Sequence, residues 1–100
     1  MPLRLAVAAL ATTLAATAAA KDTVKIAFIG PLTGGNSAIG LGGRNSADLA
    51  VRLRNADPKA RYRYELVVLD DECKPDTGVQ VATRAGADKQ VVAEIGRAHV

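Results

Sequence analysis

Tryptophan is absent, and 100 residues hold only one phenylalanine, two tyrosines, one histidine and one cysteine. The few aromatics do not interleave with basic clusters, so the chain shows neither a stacking platform nor a charged stripe for nucleic acid. Metal-ligand spacings are missing. The carboxylate pair Asp70-Asp71 has no histidine or nucleophile placed to work with it, which leaves catalysis without support. Lys21–Ala93 carries 11 basic and 9 acidic residues that alternate in sign, so no strong field points to an acidic partner.

The two ends differ in character from the middle. Arg4, the apolar run Leu5–Leu14 and the small residues Ala18-Ala19-Ala20 form the pattern of a secretory leader, with cleavage expected after Ala20. The apolar run falls short of the roughly 20 residues that span a bilayer, and Thr12, Thr13 and Thr17 dilute it. No cysteine follows the cleavage point, which argues against a lipid anchor. At the other end, Glu94-Ile-Gly-Arg-Ala-His-Val100 is the translation of a common sequencing adapter, GAG ATC GGA AGA GCA CAC GTC, whose next codon is a stop. Residues 94–100 are therefore expected to be foreign, and His99 is given no functional role. A native strand continuing through Glu94-Ile95-Gly96 is the alternative. Residues 21–93 would then be part of a larger α/β lobe.

Periodicity orders the middle. Val24–Ile29 is short, apolar and β-branched, closed by Gly30-Pro31, and reads as a buried strand. From Gly40 to Asn55 the period becomes helical, with Ser46, Leu49, Ala50 and Leu53 as the expected core stripe, widened by Ala47 and Val51. Arg44, Asp48 and Arg52 fall on the other side as a solvated face with ion pairing. Gly42 and Gly43 imply close approach to the sheet or to a ligand. Asn55-Ala-Asp-Pro58 ends the helix. Tyr62–Leu69 reads as a second strand covered on both faces. Thr77–Ala87 reads as a second helix capped by Asp76, with Val79, Ala82, Thr83 and Gly86 on its core face. Val91-Val92-Ala93 begins a third strand. Such connections demand parallel pairing, so the fold class is α/β, the start of a doubly wound parallel sheet.

Gly30–Gly40 is the segment richest in functional signal, because a loop after a buried strand lies at the carboxyl end of the sheet, where open α/β proteins bind ligands. A dinucleotide fingerprint needs G-x-G-x-x-G directly after the strand. Gly40-Leu-Gly42-Gly43 comes too late and lacks the third glycine. A phosphate-cradling loop needs a lysine, and none is present. Two readings remain: a plain connection, or a small-molecule loop. In the second, Thr33, Asn36, Ser37 and backbone amides near a helix N-terminus favour an anionic group such as a carboxylate. Asp70-Asp71 is expected to cap the next helix and bond loop amides. Cys73 implies a missing partner, a free thiol or intermolecular pairing, with a partner downstream of residue 93 preferred.

Lys25-Ile-Ala-Phe-Ile-Gly-Pro-Leu-Thr-Gly34, the helix around Asn45–Val51 and Tyr64-Glu-Leu-Val-Val-Leu-Asp-Asp-Glu-Cys-Lys-Pro75 together resemble the N-terminal lobe of the periplasmic leucine/isoleucine/valine-binding proteins, which serve ATP-driven importers. The resemblance covers essentially all of Lys25–Ala93. It implies two hinged α/β lobes closing over an amino acid, and a closed form that docks on a membrane permease of an ABC importer. It further implies a periplasmic location, no enzymatic activity, no cofactor, and a disulfide from Cys73 to a cysteine shortly after the third strand. The family often places an aromatic residue where Ile39 stands, lining the cleft, so Ile39 joins Thr33, Asn36 and Ser37 as a candidate ligand-binding residue. Its main zwitterion-binding groups lie beyond Ala93, and the chain as written is expected not to bind solute alone. Two other functions remain open at this point: the ligand-binding domain of a membrane receptor, and an exported nucleotide-dependent oxidoreductase.

Overall fold

Five elements alternate along the chain: β1 (Thr23–Gly30), α1 (Ser37–Ala56), β2 (Arg63–Asp70), α2 (Pro75–Ala87) and β3 (Val91–Gly96). They come from a computed structural model that describes residues 20–96; the expected leader, apart from Ala20, and residues 97–100 lie outside the described residues. The sheet has the order β2-β1-β3, and both pairings are parallel. The chain is thus α/β with a three-stranded parallel sheet, as its sequence predicts.

β1 occupies the centre because it is the most apolar strand and can be covered on both faces. Its residues Ala27 to Gly30 are all buried. Alternation sends Ala27 and Ile29 to one face and Phe28 to the other. Ala27 and Ile29 pack with Val81 and Ala85 of α2, whereas Phe28 lies against Gly43 of α1. The two helices therefore cover opposite faces of the sheet.

Both helices are rotated from the faces that periodicity favoured, so that of the expected residues Ala47 is buried and Ala82 packs partly against the core. In α1 the buried residues are Gly40 and Ala47, while Leu49 and Leu53 are 57% and 65% exposed. The bulk of Phe28 in the sheet leaves room only for the smallest stripe of the helix. In α2 the buried pair is Val81 and Ala85, with Val79 exposed. Asp48 and Arg52 do pair at 2.9 Å on the solvated side of α1.

The helix starts also shift. α1 begins at Ser37, not Gly40, so Ser37 and Ile39 belong to its first turn. α2 begins at Pro75, whose missing N–H costs nothing at a first helical position. Asp76 is consequently inside the first turn and does not cap; Lys74 holds the cap position without a side-chain bond. The carboxylate of Asp76 still sits where the helix dipole favours it.

β2 is an edge strand, which explains its half-buried pattern where full coverage was expected. Asn55 at the end of α1 shields part of that edge: its Nδ2 donates to the Tyr64 carbonyl and its Oδ1 accepts from the Tyr64 amide, both at 2.8 Å. β3 runs past Ala93 into the segment read as foreign, with Glu94 opposite Ala27 and Ile95 opposite Phe28. The pairing of β1 with β3 slips between Lys25 and Ile26, leaving Val92 as the extra residue of a bulge.

Candidate functional site

The carboxyl ends of β1 and β2 meet because the two strands pair in register, with Gly30 opposite Asp70. This register sets the β1–α1 loop beside the β2–α2 loop, and Asp70 ties them together. Its Oδ1 accepts from the Leu32 amide at 2.9 Å and from the Glu72 amide at 2.9 Å. Its Oδ2 accepts from the Thr33 hydroxyl at 2.6 Å, a length typical of a charge-assisted bond. The Thr33 hydroxyl first, and then the Leu32 amide, hold the Asp70 carboxyl below the usual carboxylate range.

A second tie lies alongside. Asn36 Nδ2 donates to Cys73 Sγ at 3.3 Å. Cys73 and the preceding Glu72 both adopt positive φ, 58° and 53°, a conformation uncommon for residues with a side chain. Asp71 holds that bend: its Oδ1 accepts from the Cys73 amide at 2.8 Å and its carbonyl from the Lys74 amide at 2.9 Å. Asp71 is buried to 1% exposure. The expected bonding of loop amides by Asp70-Asp71 is thus present.

Thr33 and Asn36 come together with Asp70 and Cys73 on one rim, and both are exposed. Ser37 follows at the first turn of α1, half-buried, its amide bonded to the Gly34 carbonyl at 3.2 Å. Ile39 belongs elsewhere. It is 70% exposed and borders an open apolar depression of about 240 Å³ shared with Phe28, Pro31, Gly40 and Ile95. Amides expected to face an anion are partly committed: those of Ile39 and Gly40 bond to the Asn36 carbonyl at 3.2 and 3.3 Å.

The glycines after the loop have a packing role. A Cβ on Gly40 would lie 1.6 Å from the Pro31 carbonyl oxygen, and one on Gly43 would lie 3.1 Å from Phe28 Cζ. Gly42 faces open space. Close approach to the sheet explains Gly40 and Gly43, and all three sit within α1, not in a loop that could cradle a pyrophosphate. The nucleotide-dependent reading loses its only structural footing there.

Two contacts were not legible in the sequence: the capture of the Thr33 hydroxyl by Asp70, and the approach of Asn36 to Cys73. Each spans 37 residues, so only the strand register could reveal it.

No curated protein and no solved structure matches the chain. A family model does, that of the periplasmic binding proteins, over residues 23–98. That span starts with β1 and takes in the whole sheet, both helices and the two tied loops, so the chain belongs to the periplasmic binding protein family and has its ligand-binding role.

Proposed function

We propose that the chain belongs to the solute-binding component of an ATP-driven importer for branched-chain or related amino acids or their amides. Family membership over residues 23–98 is the observation that carries this reading. The polar rim at the carboxyl ends of β1 and β2 supports it, since that end of an open α/β sheet is where ligands bind. Thr33 and Asn36 are the polar ligand-facing groups in this reading, with Ser37 beside them. Ile39 offers apolar contact from the neighbouring depression. The protein acts in the periplasm, exported by its leader, and catalyses no reaction. Hinge closure around the solute, the usual motion of periplasmic binding proteins, produces the form that docks on the permease. Cys73 pairs with a cysteine beyond residue 93 and steadies the bend beneath Asn36.

Thermal-shift measurement on the native protein tests the proposal. Leucine, isoleucine, valine and their amides are titrated singly. A ligand present at 100 times its Kd adds about 2.7 kcal/mol of stability, which reads as a rise in Tm of several degrees. No rise with any of these solutes would refute the reading.

A further inference from the structure

We propose that the open edge of β2 is a docking site for an extended segment of another protein, one whose side chains run acidic, basic, acidic along the face turned to α1. This site is separate from the solute rim and stands whether or not that rim binds an amino acid.

The parity of β2 decides which of its backbone groups face outward. The Arg63 amide bonds the Asp22 carbonyl and the Asp71 amide bonds the Gly30 carbonyl, each at 3.0 Å, so the odd-numbered residues of β2 turn their backbone towards β1. Tyr64, Leu66 and Val68 then turn theirs the other way, where no strand of the described residues lies. Asn55 answers Tyr64 as a neighbouring strand would, meeting its amide and its carbonyl at 2.8 Å. Beyond that stopper Leu66 and Val68 each present an amide and a carbonyl to the edge. These are the groups with which an added strand pairs.

The groove along this edge fixes what such a strand must carry. Leu66 and Val68 stand opposite Ile26 and Phe28, so their side chains lie on the α1 face. With Arg44, Asn45, Asp48 and Arg52 of α1 they line a groove of about 390 Å³. Asn45 Oδ1 accepts from Arg44 Nε and Nη2 at 3.2 and 2.9 Å, and Asp48 holds Arg52 Nε at 2.9 Å. A guanidinium has five donors, so both arginines keep some for a partner. The groove therefore runs positive, negative, positive. Arg44 and Arg52 are eight residues apart, about 12 Å along a helix. Residues four apart on a strand are separated by about 13 Å and share a face. Acidic side chains at positions i and i+4, with a basic one at i+2 opposite Asp48, match the groove in spacing and in sign. A second copy of this chain does not fit. Brought in across a twofold axis, the same row of charges would meet itself with like signs opposed.

The experiment titrates the native protein with two capped, dye-labelled peptides, Glu-Val-Lys-Val-Glu and its charge inverse Lys-Val-Glu-Val-Lys. Fluorescence anisotropy reads binding, and hydrogen exchange reads the Leu66 and Val68 amides. The first peptide should bind about tenfold more tightly than its inverse, the order expected when two surface ion pairs replace two repulsions. It should also slow exchange of both amides, and added salt should weaken it. Arg44→Glu combined with Arg52→Glu should invert the preference. Val68→Pro should abolish binding, because it removes an outward-facing amide at a strand edge, where proline is tolerated; this variant carries the test if the double variant fails to fold. No binding, equal affinity for the two peptides, or binding that leaves both amides unprotected would overturn the inference. So would a dimer that protects both amides without peptide, which would assign the edge to a second copy.

Discussion

The two faces of the sheet reach tight packing by opposite divisions of labour. On the α2 face the strand contributes a small residue, the fully buried Ala27, and the helix fills the space with Val81. On the α1 face the strand contributes bulk, Phe28, and the helix contributes nothing at Gly43 and only a methyl at Ala47. Interiors are packed to near-crystalline density, so what counts is the summed volume across an interface and not which partner supplies it. The difference shows in sequence. A face that works by absence is hard to see in a pattern built on hydrophobic residues, and of the stripe expected for α1 only Ala47 is buried while Leu49 and Leu53 point outward.

The sharpest way to break this comparison is Gly40→Ala. Helix propensity alone would favour alanine by about 1 kcal/mol, yet the new Cβ would sit 1.6 Å from a backbone oxygen that cannot swing aside. A net loss of about 3 kcal/mol or more is expected from the urea midpoint of the native protein. A neutral result would mean that α1 can lift off the sheet freely. Next in size is Val81→Ala, on the face that works by bulk, with an expected loss of about 2 kcal/mol. If that variant melted like the wild type, the α2 face would not be the core it is described as.

The latch between the loops makes a smaller demand, and its signature is dependence on pH. Because the folded state holds Asp70 below its unfolded value, its contribution is present above the unfolded pKa. It fades as pH falls through the folded one. The stability gap between wild type and Asp70→Asn should therefore narrow on going from neutral pH to about pH 3. A gap that widened in acid would contradict the bonding described. The smallest expected effect has the opposite sign: Gly42→Ala, one residue pair along from Gly40 and facing open space, should gain about 0.5–1 kcal/mol. Comparing it with Gly40→Ala isolates packing from propensity within one helix turn.

Much of the fold was legible. Continuous apolar runs located β1 and β2 to within a residue or two, and the alternation of strand and helix demanded parallel pairing. Helix faces and starts were less legible. Leu49 and Leu53 outweigh Gly40 and Ala47 on any hydrophobic scale, and only the bulk of Phe28 explains why they point outward. The second helix was expected from Thr77 with Asp76 as its cap, yet Pro75 at the first position begins it. At the candidate site the sequence singled out the loop that holds Thr33 and Asn36, but not the ties from Asp70 and Cys73 that reach it across 37 residues.

The sequence by itself determined which segments are strands, which are helices, and that a polar loop follows the most apolar strand, since these are short-range consequences of periodicity and turn chemistry. Tertiary structure alone decided that Asp70 stands opposite Gly30, within reach of Thr33. Register between strands 40 residues apart is settled by the collective packing of Phe28, Ala27 and their neighbours, and no local pattern encodes it. The tie between the two loops follows from that register.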